Sequence, residues 1–310
     1  MYKENECQFA LFYFVYKHLK TMNNSENNAT PWLFEITPKN KFFSLNLTEV
    51  WQYRDLLLLF VKRDIVTVYK QTVLGPLWYL IQPLFTSITF TIIFNNLAGI
   101  NTGTVPPFLF NLAGITVWNY FTACLTGTSN TFGANAGIFG KVYFPRIIVP
   151  ISIVISNLLK FGIQFGIFIA FYFLYYFQGA AISLNGLVVF FPLLIIVMGI
   201  LGLGLGMFIS SLVTKYRDFS HLIGFGVQLL MYVSAVVYPM ALVKEKMPEY
   251  VWLVQYNPLA YIIETTRYML LNVGYLSFWG LGYTFLATVL IFLVGVLIFN
   301  RTEKSFIDTV

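Results

Sequence analysis

Six apolar stretches, each long enough to cross a bilayer, decide what this chain can become: Leu77–Leu97, Phe108–Thr131, Ile147–Phe177, Leu187–Val213, Phe219–Met240 and Phe278–Asn300. A helix needs roughly 20 mainly apolar residues to cross the hydrocarbon core, and a spanning segment must satisfy its own backbone polar groups there. Charged residues make up only 10% of the 310 and mean hydropathy is +0.72, whereas soluble domains carry about 25% charged residues. The folded surface must therefore face lipid, and the expected class is an all-α integral membrane protein with six transmembrane helices. Turn chemistry separates the stretches: Gly75-Pro76, Gly103 through Pro107, Gly137 through Pro145, Gln178-Gly179, and Pro239 to Pro258. The third stretch is longer than a bilayer requires, so it tilts or projects into water.

Basic residues follow this pattern rather than clustering in a stripe suited to nucleic acid, although the net charge is +6. Nine Lys and Arg precede the first span and none lies in Ala98 to Pro107. Lys141, Arg146, Lys215, Arg217, Arg301 and Lys304 fall on the same side as the N-terminus; Lys244, Lys246 and Arg267 fall on the other. The positive-inside rule places both termini in the cytoplasm. The expected organisation is a cytoplasmic segment 1–46, an interfacial helix and turn 47–76, a transmembrane domain 77–300 and a cytoplasmic tail 301–310.

Two further segments are amphipathic. Leu56 to Val61 is too short to span and is bracketed by Arg54, Asp55, Lys62, Arg63 and Asp64, which suits a helix lying in the cytoplasmic interface. It serves either as a lipid anchor or as a docking site for a partner. Val251 to Leu271, broken by Asn257-Pro258, is too polar for a seventh span. It either dips into the bilayer as a re-entrant helix pair, tolerable where protein or water satisfies the freed backbone, or lies on the surface.

Catalytic chemistry finds no foothold. His18 and His221 are the only histidines and have no Cys or carboxylate at ligand spacing. Gly140-Lys141 lacks the first glycine and the Ser/Thr of a phosphate loop, so ATP is not bound here. Cys7 and Cys124 provide no disulfide framework. Gly202-xxx-Gly206 and Gly162-xxx-Gly166 read as close helix contacts. Lys160 is the exceptional charge: a helix beginning near Pro145 carries it about 22 Å along. It faces protein, a wet pathway or a subunit contact, or it snorkels to the inner interface. Trp78, Tyr79, Trp118, Tyr120, Trp252 and Trp279 are read as span-end aromatics, where interfacial belts place such rings. The alternative is that some line a path for sugar rings.

At the N-terminus, Phe9 to Tyr16 follows two acids and precedes Lys17 and Lys20, the wrong order for a secretory signal. The Asn-rich run from Met22 to Thr30 reads as disordered. Met1 to Thr21 is read as an upstream extension, with Met22 as the alternative start.

The run Val61-Lys-Arg-Asp-Ile-Val-Thr-Val-Tyr-Lys-Gln-Thr-Val-Leu-Gly-Pro-Leu-Trp-Tyr-Leu-Ile-Gln-Pro83 resembles the N-terminal signature of permease subunits of type 2 ABC transporters that export polysaccharide. Gly140-Lys-Val-Tyr-Phe-Pro-Arg146, Tyr216-Arg-Asp218, Tyr256-Asn-Pro-Leu-Ala260 and Glu303-Lys-Ser-Phe-Ile-Asp308 extend the resemblance over nearly all of Trp32 to Val310. It is closest to the branch exporting O-antigen, capsule or teichoic-acid polymers.

The resemblance implies a homodimer in the bacterial inner membrane, paired with two ATP-binding subunits that carry ATP and magnesium, and a lipid-linked polysaccharide as cargo. It implies coupling to the ATPase through Arg54, Lys62, Arg63, Asp64 and Tyr69 of the interfacial helix. Lys141, Tyr143, Phe144, Pro145 and Arg146 of the loop share that role. Re-entrant helices matching Val251 to Leu271 are implied to gate the exit, with Tyr256, Asn257, Pro258, Glu264 and Arg267 as candidates. Candidates for the path are Trp78, Phe85, Trp118, Tyr120, Lys160, Tyr232 and Tyr238. One rival is an exporter of drugs or lipids with the same fold. A second is a membrane-embedded transferase, which would require an acid or histidine cluster at one membrane face that is not apparent.

Overall fold

The computed structural model describes residues 47–70, 75–142, 144–216 and 218–307, and among these the regular structure is helical throughout. Among the described residues, α1 (Leu47–Gln52) and α2 (Arg54–Lys70) precede the first span. Gly75 then adopts φ +47° and opens a 3-10 turn, Gly75–Leu77, that directs the chain into α3 (Trp78–Phe90). Glycine is the residue for which a positive φ costs least, and Pro76 cannot continue the preceding helix.

Among the described residues, five helical stretches have the length and apolarity to cross a membrane: Trp78–Leu97, Pro107–Ser129, Ile148–Phe177, Gly186–Lys215 and Phe278–Lys304. The first ends in a π-helical turn, Thr91–Leu97. The others contain α4 (Pro107–Ser129), α6 (Ile148–Phe177), α7 (Phe191–Lys215) and α12 (Phe278–Ile307), with the short α5 (Thr131–Phe139) following α4. Residues 301–307, expected as a tail, continue α12 without a break.

The fifth expected span, Phe219–Met240, differs from a simple crossing. Its helix, α8, covers only Phe219–Val233. Fifteen residues rise about 22 Å, short of a hydrocarbon core of about 30 Å. Ser234 ends the helix, Ala235 turns left-handed at φ +53°, and the chain proceeds to Pro239 without regular structure. Then come α9 (Met240–Lys246), α10 (Val251–Gln255) and α11 (Pro258–Leu271). The break at Asn257-Pro258 is where the sequence indicates it. However, α11 is not a surface helix: twelve of its fourteen residues are buried, and it packs against α4, α7 and α12.

The core lies around α4 and α7, and small residues explain how closely α7 is held. A Cβ on Gly202 or Gly206 would press on Cys124 or Thr128 of α4. On the opposite face, a Cβ on Gly204 would meet the backbone of Phe292 in α12, and one on Gly295 the carbonyl of Gly204. Positions two apart on a helix point about 200° apart, so α7 is clamped between α4 and α12. Gly162 and Gly166 have no neighbour within 4 Å of a built Cβ, so the close contact expected there is not made within this chain. Trp118 and Tyr120 also depart from expectation. They lie near the middle of α4 and are buried in helix packing, Trp118 against Phe121 and Tyr120 against Phe161.

Candidate functional site: two ends of the helix bundle and a polar recess

At one end, α2 lies along the first half of α6 and meets the loop that precedes it. Phe60 of α2 and Phe144 of the loop place their rings 5.7 Å apart, and Phe144 stands 5.7 Å from Phe139 at the end of α5. Both Phe60 and Phe144 are buried. Arg63 sits 4.7 Å above the Phe60 ring and bonds Asp64 at 2.9 Å. Ser156 of α6 donates to the other Asp64 oxygen at 3.4 Å.

The same loop is tied to the last helix. Arg146, 7% exposed, donates to the Glu303 carbonyl at 3.1 Å, with the Glu303 carboxylate 3.9 Å away. Its guanidinium also lies 5.1 Å from the Phe139 ring centroid, and Phe139 approaches Phe132, itself stacked on Phe299 of α12 at 4.7 Å. The helix α2, the loop and α12 are thus joined by one aromatic and ionic junction. Arg54, Lys62 and Lys141 are exposed around it, whereas Phe144 and Arg146 are internal to it. Tyr143 and the side chain of Tyr69 lie outside the described residues. Phe60 and Glu303 belong to this junction although the candidate list omits them; Phe60 is masked in sequence by its apolar neighbours.

At the opposite end, α11 supplies a buried pair. Arg267 and Glu264, with side chains 0% and 1% exposed, stand 3.4 Å apart. Arg267 Nη1 donates to the carbonyls of Ala235 at 2.8 Å and Tyr238 at 3.4 Å, and Nη2 donates to the Val236 carbonyl. Glu264 accepts from the backbone N–H of Met240 at 2.8 Å and Tyr275 at 3.1 Å. Ala235, Val236, Tyr238 and Tyr275 lie between helices, and Met240 is the first residue of α9, where the backbone N–H has no partner within its own helix. Unpaired backbone groups in an apolar interior cost several kcal/mol, and the pair supplies what a continued helix would have supplied. Glu264 and the three carbonyls together balance the buried guanidinium charge, which a guanidinium keeps in proteins. The guanidinium covers Phe110 at 3.8 Å, and Gly114 makes this approach feasible because a Cβ there would strike Arg267 and the Val236 carbonyl.

Asn257 reinforces the same corner. Its side chain caps α11 by accepting from Leu259 N–H at 3.0 Å and donates to Ser234 at 2.9 Å. Pro258 occupies the first turn of α11, where its missing N–H costs nothing. Of the exit-gate candidates only Tyr256 is at the surface, 67% exposed. Nearby, Asn111 near the start of α4 donates to Thr91 and Asn95 at 3.1 and 2.8 Å and so holds the π-turn of the first span. An Asn inside an apolar helix is a signal of this kind.

Between the two ends, Tyr79, Gln82, Asn119, Tyr120, Asn157, Lys160 and Gln164 line an open polar recess bounded by α3, α4 and α6. Two path candidates, Tyr120 and Lys160, meet there. Trp78, Phe85 and Tyr232 are exposed elsewhere, and Tyr238 is half-buried, donating to the Tyr232 carbonyl at 2.5 Å.

Comparison with known proteins agrees with this architecture. Residues 55–271 match the family model described as ABC-2 type transporter. An O-antigen export system permease protein, RfbA, from Klebsiella pneumoniae is 29% identical over 255 residues, covering 82% of this chain and 94% of its own. Its namesake from Myxococcus xanthus is 24% identical over 198 residues, 64% of this chain and 74% of its own. Because the family match covers most of the helical bundle, from α2 to α11, this chain belongs to the ABC-2 type transporter family, the membrane-embedded permeases of ABC transporters.

Proposed function

We propose that the chain is one half of the pore of an exporter that carries a lipid-linked polysaccharide of the O-antigen type outward across the bacterial inner membrane. A second copy completes the pore, and two ATP-binding subunits, holding ATP and magnesium, drive it. The names of the Klebsiella and Myxococcus relatives support the cargo class. In this reading the junction end is cytoplasmic, in keeping with the basic residues on that side. The α8 segment makes a sixth crossing, completed by the irregular backbone that Arg267 satisfies, and α10 and α11 are re-entrant from the outer side.

The observation that carries the coupling is the Phe60–Phe144 contact together with Arg146–Glu303. Force applied to α2 or to the loop reaches α12 through packed rings and an ion pair, and α12 is locked to α7 at Gly204–Gly295. A push at the junction therefore moves helices as rigid bodies. The test is reconstitution of the permease with its ATP-binding subunit in liposomes, reading movement of lipid-linked polymer into the lumen. ATP-dependent movement is expected; hydrolysis that moves drugs or phospholipids but no polymer would overturn the cargo assignment.

A further inference from the structure

Among the described residues, Lys160 is the only charged side chain lining the recess between α3, α4 and α6. An ammonium has three donors. Asn157 Oδ1 takes one at 2.9 Å, and the Tyr79 ring lies 5.6 Å from Nζ. No carboxylate comes within ion-pair distance of it among the described residues. The nearest acid of the adjoining hollow, Asp64, is occupied by Arg63 at 2.9 Å and Ser156 at 3.4 Å. The cation therefore stands, without a carboxylate of its own, in a recess lined by amides and hydroxyls together with Ala123 and Phe161, and Asp64, already paired with Arg63, acts on it only from the adjoining hollow. The Thr122 hydroxyl at the recess wall is buried without a hydrogen-bond partner.

Depth narrows the ligand. Ser156 is bonded to Asp64 on α2, the helix of the interfacial type, and Lys160 is one turn farther along α6, about 6 Å. With α2 lying in the membrane interface, as its charge pattern leads one to expect, the ammonium stands just inside the headgroup level and not at the bilayer centre. Leu159, beside Lys160 on α6, is exposed to the surroundings, and Tyr79 on α3 is half-buried, so a molecule can enter from the membrane without crossing the core. A cation repels basic ligands, and a neutral sugar would not compensate a charge withdrawn from water. An anionic oxygen cluster carried by a lipid meets every condition: it offers strong acceptors to Lys160 and to the amides and hydroxyls of the wall, while its chains stay in the hydrocarbon.

We propose that this recess, centred on Lys160 and Asn157, binds the phosphate group of a lipid. Two sources share that chemistry, a bulk anionic phospholipid and the phosphate-bearing lipid of the cargo. The second rests on the exporter reading above; the first does not.

Native mass spectrometry of the intact permease complex, titrated separately with phosphatidylglycerol and with a synthetic polyprenyl diphosphate, tests the site. Removing one charged hydrogen bond weakens binding about tenfold, so Lys160→Gln is expected to lose one adduct class by that factor while Lys160→Arg retains it. Loss of the diphosphate lipid alone supports the cargo source, and loss of phosphatidylglycerol alone supports the phospholipid source. In the wild-type complex, either lipid should also slow acylation of Lys160 by an amine reagent, read on the peptide that carries it. Unchanged binding of both lipids to Lys160→Gln together with unchanged acylation overturns the proposal. That result leaves polymer movement in liposomes, and with it the exporter reading, unaffected.

Discussion

Arg267 donates a hydrogen bond of 2.8 Å to the carbonyl of Ala235, 32 residues earlier in the chain. The bond joins the middle of α11 to the point where α8 stops. Glu264, one turn before Arg267, joins the same helix to the start of α9 and to Tyr275. These two residues therefore act as a brace: the segment from α9 to α11 is fastened to the end of α8 and, through Phe110 and Gly114, to α4. If the segment moves during export, it moves with α4 and α8.

Removing one partner of a buried ion pair costs about 3–5 kcal/mol. Arg267→Met is expected to lower the melting temperature of the purified protein sharply, as read by the exposure of Cys124, which is buried at the helix core. Arg267→Lys, which keeps the charge but loses the two-armed reach over Ala235 and Val236, should fall between. A melting curve for Arg267→Met that matches the wild type would remove the brace.

Gly204 and Gly295 set the spacing of α7 and α12. Forcing a larger side chain into such a contact costs about 1–3 kcal/mol, so Gly204→Leu should reduce folded yield and thermal stability. Gly162→Leu, with open space within 4 Å of a built Cβ, serves as the contrast and should leave the fold of the single chain intact. Equal loss in both variants would argue against the α7–α12 clamp.

The ring contact at the junction makes a kinetic prediction. An aromatic pair contributes about 0.5–1.5 kcal/mol beyond its buried area, too little to unfold the chain. Phe60→Ala and Phe144→Ala should each yield assembled complex that moves less polymer per ATP hydrolysed, and the double variant should be little worse than either single one. Additive losses would mean that the two rings act separately.

Charge reversal probes the link to the last helix. Arg146→Glu places an acid against Glu303 and should diminish transport-linked ATP hydrolysis in the assembled complex. The swapped pair, Arg146→Glu with Glu303→Arg, should restore part of it. Undiminished hydrolysis in Arg146→Glu would remove this residue from the coupling path.

Most of the bundle was legible in the sequence because a bilayer imposes one requirement on every residue of a span, and the boundaries of α4, α6 and α7 fall within a few residues of those expected. Where packing decides, the sequence was less informative. The early end of α8 is hidden because Val233 to Met240 is as apolar as what precedes it, and only the distant Arg267 shows that this backbone is unwound. Glu264 and Arg267 do pair on one helix face as the spacing indicates, but the backbone groups of other elements that each also binds could not be read from the sequence. Gly202 and Gly206 were readable as a contact face; Gly204, on the other side of the same helix, was not. Lys160 was conspicuous as a charge in an apolar run, yet its neighbours Asn157 and Tyr79 came only with the packing of α6 against α3.

The most direct measurement is made in the native cell: delete this chain, then fractionate polysaccharide between the cell surface and the cytoplasmic face of the inner membrane. The account predicts that surface polymer disappears while lipid-linked polymer accumulates inside, and that the wild-type chain supplied in trans reverses both. Unchanged surface polysaccharide with no internal accumulation would contradict it.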